Sequence, residues 1–480
     1  MIHSARTKAI FLALASTAFG AFAAAAGNDT CRYIQRTMKS LENSTAKNPA
    51  RLRVLFYGQS IVAQGWNGRI IADWKKRYPT AVIECRNPSI GGYTSPSLSR
   101  TAHSDLYPYY PDILFFHVYG PLDKYEEIIR TTRERTTAEI VLWSSHMGAK
   151  DDPRKMLAER DERTRGIEDI ARRYRCMYVD LNRKWAEHLV AKGLEPKALL
   201  RDTIHLSKEA GALDLYAGFL NEDIVPVKGA EADWASGTVR TFAADDSCVR
   251  KRADGSVELT FDGNRVVGTV SAPGAAKVLL DGKPVETWPD MWCMTRPSAS
   301  PMWMPAIRRV QWKVCPVRED WTLTYTADSD PDANPIRFTL AGSVSGDCGT
   351  GDTTADFLSP NGRVFVEKGD FGVGQYKQFR KKVKPGQTVT WKSLPMFALP
   401  CAADKKGQPV FLAQGCPNGR HVLTIRPEKG KALAFSSFTV HRPADVSRFP
   451  TASAVQGGTV VPSAKDMYEN DPNHSKGARK

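Results

Sequence analysis

Five short apolar runs punctuate the first half of the chain: Arg53–Tyr57, Ala81–Arg86, Asp112–Val118, Ile140–Ser144 and Met177–Leu181. Between and after them lie stretches with helical period, at Ile61–Arg77, Asp123–Thr136, Met156–Arg175, Lys184–Lys192 and Lys208–Asn221. The short runs are apolar throughout rather than at alternate positions, as strands buried on both faces are. Strand and helix alternating through short connections predict an α/β domain over residues 51–225, with a parallel sheet between helices. Ahead of it, residues 27–50 predict a short helix, Thr30–Glu42, and a polar linker.

Beyond Val225 the helical period ends. Short β-rich runs follow at Ser256–Phe261, Val266–Val270, Lys277–Leu280, Trp321–Thr326, Ile336–Leu340, Arg363–Glu367, Thr388–Trp391 and His421–Ile425. Asp262-Gly263-Asn264, Asp281-Gly282 and Asn361-Gly362 suit hairpin turns. Residues 226–445 therefore read as a β-sandwich, jelly-roll-like. The polar, breaker-rich stretch 446–480 predicts a disordered tail.

Length and composition agree with this division. A chain of 480 residues implies two or three domains, and 42% hydrophobic with 25% charged residues is ordinary for a globular protein. The N-terminus is a separate matter. Arg6 and Lys8, the apolar Ala9–Phe22 and the small residues Ala23–Ala26 form the pattern of a secretory signal over residues 1–26, so a periplasmic or extracellular protein is expected. No other stretch is apolar for long enough to insert stably in a membrane. The net charge of +15 favours acidic partners such as anionic polysaccharides or membrane surfaces. A solvated basic surface explains it equally well, and no nucleic-acid motif is present. The nine cysteines are an odd number, and Cys401 with Cys416, across a turn-rich loop, is the favoured disulfide. No Cys/His spacing suits a metal, and no cofactor is expected.

The chemistry gathers around Tyr57-Gly58-Gln59-Ser60-Ile61. Ser60 directly follows the first apolar run, at a strand-to-helix turn on the carboxyl edge of the sheet, where α/β active sites form. Much later comes Asp202-Thr203-Ile204-His205, a carboxylate three residues before an imidazole. Serine, histidine and an orienting acid are the parts of a serine hydrolase. Ser60 as a plain helix N-cap is the competing reading, and the Asp202/His205 pair weighs against it. His117 ends the third run, and His146 follows the fourth at the same sheet edge. His117 either satisfies a backbone carbonyl or serves the site; His146 is a candidate for the substrate pocket. Trp288, Trp292, Trp303 and Trp312 fall together in the β-rich part. They offer either a sugar-stacking platform or, as preferred, core and interdomain packing.

These residues resemble the blocks of the SGNH (GDSL-type) hydrolases, including carbohydrate esterases, over residues 51–225. Gly58-Gln59-Ser60 is similar to the first block, with Gln in place of Asp. Asn87-Pro88-Ser89-Ile90-Gly91-Gly92-Tyr93-Thr94 is similar to the second, with Gly92 at the oxyanion glycine, and Asp202 and His205 match the last. The third block is atypical: Phe116-His117-Val118-Tyr119-Gly120-Pro121-Leu122-Asp123 has a glycine but no asparagine after it. The resemblance implies a flavodoxin-like sheet of order 2-1-3-4-5, which puts Cys85 and Cys176 on opposite edges, unable to bond. It implies Ser60 as nucleophile, His205 as base and Asp202 as its orienting acid. Oxyanion donors would be the Ser60 and Gly92 amides, with His117 or the Gly120 backbone replacing the absent asparagine. The expected activity is that of an exported esterase that removes short acyl groups, foremost O-acetyl, from a carbohydrate through an acyl-enzyme. Carbohydrate O-acyltransfer, and carbohydrate binding by a degenerate hydrolase domain, are the alternatives.

Overall fold

The structure is a computed structural model that describes residues 28–227, 236–326 and 335–450. The expected signal segment, residues 1–26, and most of the expected tail, from 451 on, lie outside the described residues.

Strands β1 (Arg51–Gly58), β2 (Val82–Arg86), β3 (Ile113–His117), β4 (Glu139–Trp143) and β5 (Met177–Val179) form one parallel sheet of order β2-β1-β3-β4-β5. Their apolar character on both faces has a direct use. Leu55, Tyr57, Leu114, Phe116, Ile140 and Leu142 enter one buried cluster, while their neighbours Val54, Phe56, Ile113, Phe115, Val141 and Trp143 enter another. Each such side chain, fully buried, contributes about 1.5–3 kcal/mol. Helices α1 (Gln35–Glu42), α2 (Asn67–Arg77), α7 (Leu181–Lys192) and α8 (Ala212–Asn221) cover the second face; α3 (Ser95–Asp105), α4 (Leu122–Arg135) and α6 (Glu162–Arg173) cover the first. The strand order sets Cys85, in β2, and Cys176, beside β5, at opposite edges.

Local chemistry shifts several boundaries. The helix expected from Ile61 is broken: a 3₁₀ turn, Val62–Gln64, ends at Gly65 (φ 83°), and α2 starts only at Asn67. The stretch Met156–Arg175 divides into α5 (Pro153–Ala158) and α6, because Asp161 caps a new helix by accepting from the Thr164 amide at 2.8 Å. Helix α3 had no counterpart in the sequence reading. Its buried side is Ser95, Leu98, Ser99, Thr101 and Ala102, too polar and small to give an apolar stripe.

The β-rich part holds two larger antiparallel sheets. One orders Lys283–Pro284, Gly274–Leu280, Pro409–Pro427, Val257–Ala272, Ala434–Arg442 and Thr238–Ala243; the other orders Trp292–Met294, Thr388–Pro395, Glu319–Tyr325, Arg337–Gly342 and Gly346–Asp352. Their apolar residues fall mostly in separate clusters, although Trp292 of the second sheet joins the cluster of the first. Trp321, Leu323 and Trp391 of the second sheet pack with Met302, Met304, Ile307 and Tyr376, rather than with the first sheet. The turn expected at Asp262-Gly263-Asn264 is instead interior to the strand Val257–Ala272. Gly263 is there for close approach: a Cβ would lie 2.3 Å from the His441 carbonyl oxygen. All nine cysteines are free thiols, so the Cys401–Cys416 disulfide is not formed. The Cys401 strand instead pairs in register with Ala276. The first residues of the expected tail are docked, with Phe449 against Tyr174 (ring centroids 5.5 Å apart).

Ion pairs fasten the two parts. Arg296 reaches the buried Asp105 of α3 with Nε–Oδ1 at 2.9 Å and Nη2–Oδ2 at 2.6 Å. Burial lifts the Asp105 carboxyl to about 6, against the pull of Arg296. Arg100, on the same helix, binds Asp370 (2.7 Å) and Glu367 (2.7 Å). This clamp brings residues 296–308 onto the loop at 88–93, beside Ser60.

Candidate active site

Ser60 sits half-buried in the turn after β1. Its Oγ lies 2.9 Å from His205 Nε2, and on the other side of the ring Nδ1 is 2.9 Å from Asp202 Oδ2 and 3.1 Å from Oδ1. An ionised carboxylate only accepts, so in the neutral ring Nδ1–H donates to Asp202 and the Nε2 lone pair faces the serine hydroxyl. Burial alone would raise the Asp202 carboxyl. The amides of His205 (2.8 Å) and Ile204 (3.0 Å), with the His205 ring, outweigh it and hold the group below its ordinary value. These bonds also wind residues 202–205 into a tight turn, which is why the acid stands three residues before the imidazole.

Several groups hold that turn against the sheet. Gln64, in the 3₁₀ turn after Ser60, donates Nε2 to the Leu206 carbonyl (3.0 Å) and accepts from the Leu206 amide (3.1 Å). It thus ties the serine turn to the histidine loop. His146 is buried and its Nε2 lies 2.6 Å from the Ile204 carbonyl oxygen. A carbonyl cannot donate, so this nitrogen carries the proton. Burial, with His205 adding to it, pushes the His146 ring down to about 4 despite the Ile204 carbonyl. His146 therefore supports the histidine loop from beneath, a different place from the substrate pocket expected for it.

Two amides are available near the hydroxyl. Neither the Ser60 nor the Gly92 N–H is taken by an acceptor among the described residues. Gly92 has φ 82°, and a Cβ on it would lie 2.5 Å from Met304 Cε, so both conformation and packing require glycine. Since α2 begins only at Asn67, Ser60 is not at that helix's N-terminus, and the helix dipole does not act directly on it.

The third-strand residues are placed differently from the serine. His117 is wholly buried; its Nε2 is 3.1 Å from Ser145 Oγ, and its ring stacks on Trp143 at 5.5 Å. Burial, with Arg163 and His146 nearby, holds it well below the ordinary histidine value, so the ring is neutral. It presents no accessible atom to an oxyanion in this arrangement. Gly120 is buried against the start of α3, where a Cβ would lie 2.8 Å from Ser95 Oγ. Arg163 fixes this segment by donating to the Gly120 carbonyl (2.6 Å) and to the Val118 carbonyl. Gln59, at the position where the SGNH first block has Asp, is turned inward and buried, its amide atoms without a protein partner.

Of the four tryptophans singled out, Trp292 is buried, and Trp288 and Trp312 pack partly buried against the core. Trp303 is the exception at 58% exposed, and its Nε1 donates to the Gly91 carbonyl at 3.0 Å. Trp303 thus departs from the core packing preferred for the four tryptophans, while the groups that sequence reasoning missed are Gln64 and Arg163. Only their long-range partners reveal them. Among the described residues no cluster of metal-ligating side chains occurs, and no helix is long and apolar enough to cross a membrane.

No family model and no curated protein matches this chain. Among solved structures it is similar to a two-domain esterase active on acetylated mannans, at 12% identity over 87% of this chain and 97% of that one, with a TM-score of 0.34. It is also similar to an acetylxylan esterase from Geobacillus stearothermophilus, at 24% identity over 36% of this chain and 94% of that one, with a TM-score of 0.30. Neither likeness is close enough to bear on chemistry, which rests on the side chains above.

Proposed function

We propose that this chain is an exported serine esterase that removes short acyl groups, foremost O-acetyl, from a carbohydrate. The observation that carries the reading is the continuous chain of contacts from Ser60 Oγ through the His205 ring to Asp202. A neutral serine is a poor nucleophile and needs a base within hydrogen-bond reach. His205 Nε2 takes the Ser60 proton as Oγ attacks the ester carbonyl. Asp202 keeps the ring in the right tautomer and stabilises the imidazolium. The Ser60 and Gly92 amides face the developing oxyanion. His205 then returns the proton to the leaving sugar oxygen, an acyl-Ser60 remains, and water activated by the same histidine releases the acid. With no asparagine after the third strand, the two amides carry the oxyanion alone, and the neutral, buried His117 is structural.

Acetate release from a chromogenic acetate ester tests this, with Ser60→Ala as control. Release that disappears in a folded Ser60→Ala protein supports the esterase. Equal release by both, or none by the wild type, removes it in favour of the binding-protein alternative.

A further inference from the structure

Trp303 is the most exposed tryptophan-sized apolar surface near the serine, and it comes from the β-rich part of the chain rather than from the sheet that carries Ser60. At 58% exposed, it leaves an aromatic face open to a ligand. It is held in a defined position. Its Nε1 donates to the Gly91 carbonyl (3.0 Å), and its ring meets Phe379 edge-on with centroids 4.8 Å apart. A Cβ built on Gly91 would lie 3.7 Å from Ser60 Cβ and 3.8 Å from Trp303 Nε1, so the indole stands directly across Gly91 from the serine. Beneath it, Met304 packs on Gly92 and is buried. The Arg296–Asp105 pair fastens the same stretch to α3.

The stretch of chain that follows Phe379 carries charge of one sign. Phe379 is followed by Arg380, Lys381 and Lys384, all exposed, and no Asp or Glu occurs anywhere between Phe371 and Ala403. None of these three side chains has an ion-pair partner among the described residues. An exposed indole set against Phe379, with unpaired cations directly following Phe379 along the chain, suits a ligand with an apolar ring face and an anionic substituent.

We infer that Trp303 and Phe379, flanked by Arg380 and Lys381, form a subsite for a uronate unit of the glycan, with the sugar ring on the indole and its carboxylate toward the cations. The substrate class is then an acylated acidic polysaccharide, and the subsite holds it while a neighbouring ester reaches Ser60. This rests on the esterase reading for its biological sense, but the binding itself does not require turnover.

Calorimetric titration of the full-length Ser60→Ala protein with a galacturonate tetramer, against a neutral mannose tetramer, is the test. The acidic oligomer should bind at least about tenfold more tightly at low salt, and lose that advantage near 1 M salt, where screening shortens to about 3 Å. Trp303→Ala should weaken binding about tenfold, as truncating a buried-on-binding tryptophan does, and Trp303→Phe should restore most of it. Arg380→Glu with Lys381→Glu should abolish the preference for the acidic oligomer while the neutral one binds as before. Equal binding of the two oligomers, or binding indifferent to Trp303→Ala, overturns the inference. Acetate release by the wild type is scored separately. The expected binding without any ester cleavage keeps the subsite and removes the esterase. Cleavage with neither selectivity nor Trp303 dependence removes the subsite alone.

Discussion

Gln64 is the perturbation that most sharply separates a catalytic geometry from a merely stable one. Its amide makes two hydrogen bonds to the backbone of the buried Leu206, directly after His205, while its own backbone belongs to the turn directly after Ser60. Gln64→Leu keeps the volume and removes both bonds. At about 0.5–1.5 kcal/mol net for each bond, the loss of stability should be about 1–3 kcal/mol. The larger effect is expected on rate. Freed from the serine turn, the histidine loop can drift, and a misplacement on the order of 1 Å costs about 10²-fold in kcat. KM for a small acetate ester should change little, because no binding contact is lost. The assays are urea unfolding and steady-state kinetics on the same preparation. A variant that loses the predicted stability but keeps wild-type kcat would refute the reasoning, since the clamp would then be structural only.

Other substitutions probe the remaining supports. Asp202→Asn should cut kcat by about 10³–10⁴-fold in a folded protein, because the amide favours the wrong imidazole tautomer; a small loss in steady-state rate would discount Asp202. His146 has its folded value pushed down to about 4 from 6.5, so its contribution is complete above pH 6.5 and fades as pH falls through 4. Urea unfolding at pH 7 and pH 4 should show wild type losing up to about 3 kcal/mol more than His146→Gln between the two; parallel losses would contradict that assignment. Arg296→Met leaves the buried Asp105 carboxylate unpaired and should cost about 3–5 kcal/mol at pH 8. The cost should shrink at pH 5, below the raised Asp105 value of about 6, where the folded carboxyl is protonated. Thermal unfolding at the two pH values reads this, and a pH-independent cost would falsify it.

The parallel sheet was legible because its strands are buried on both faces: runs such as Val54-Leu55-Phe56-Tyr57 leave no polar position to confuse the period. Ser60 was legible because it closely follows the first strand, and Asp202 with His205 because a tight turn keeps their spacing local. What escaped the sequence depends on partners distant along the chain. Helix α3 hides because its inner face is mostly Ser, Thr and Ala, enough only where the β-rich part supplies the opposing apolar surface. Asp262-Gly263-Asn264 has the composition of a hairpin turn. The same glycine equally serves a strand whose neighbour's backbone comes within 2.3 Å of a Cβ position. Trp303 was indistinguishable from Trp292 in composition. One lies exposed over the loop at Gly91 and the other fills a core, a difference set by contacts to Gly91 and Phe397 respectively. His117 was placed at the correct sheet edge, yet the side-chain direction that buries it on Trp143 and Ser145 is not a property of the third strand's sequence alone.

The central claim is that Ser60 is a nucleophile activated by His205, and covalent labelling addresses it most directly. Intact-mass and peptide analysis after exposure to a reactive phosphonate ester should find one adduct per chain, located on Ser60 and absent from Ser60→Ala. Labelling should slow sharply in His205→Ala, where no base remains within reach of the hydroxyl. A folded wild-type protein that takes no adduct, or takes it elsewhere, would contradict the account.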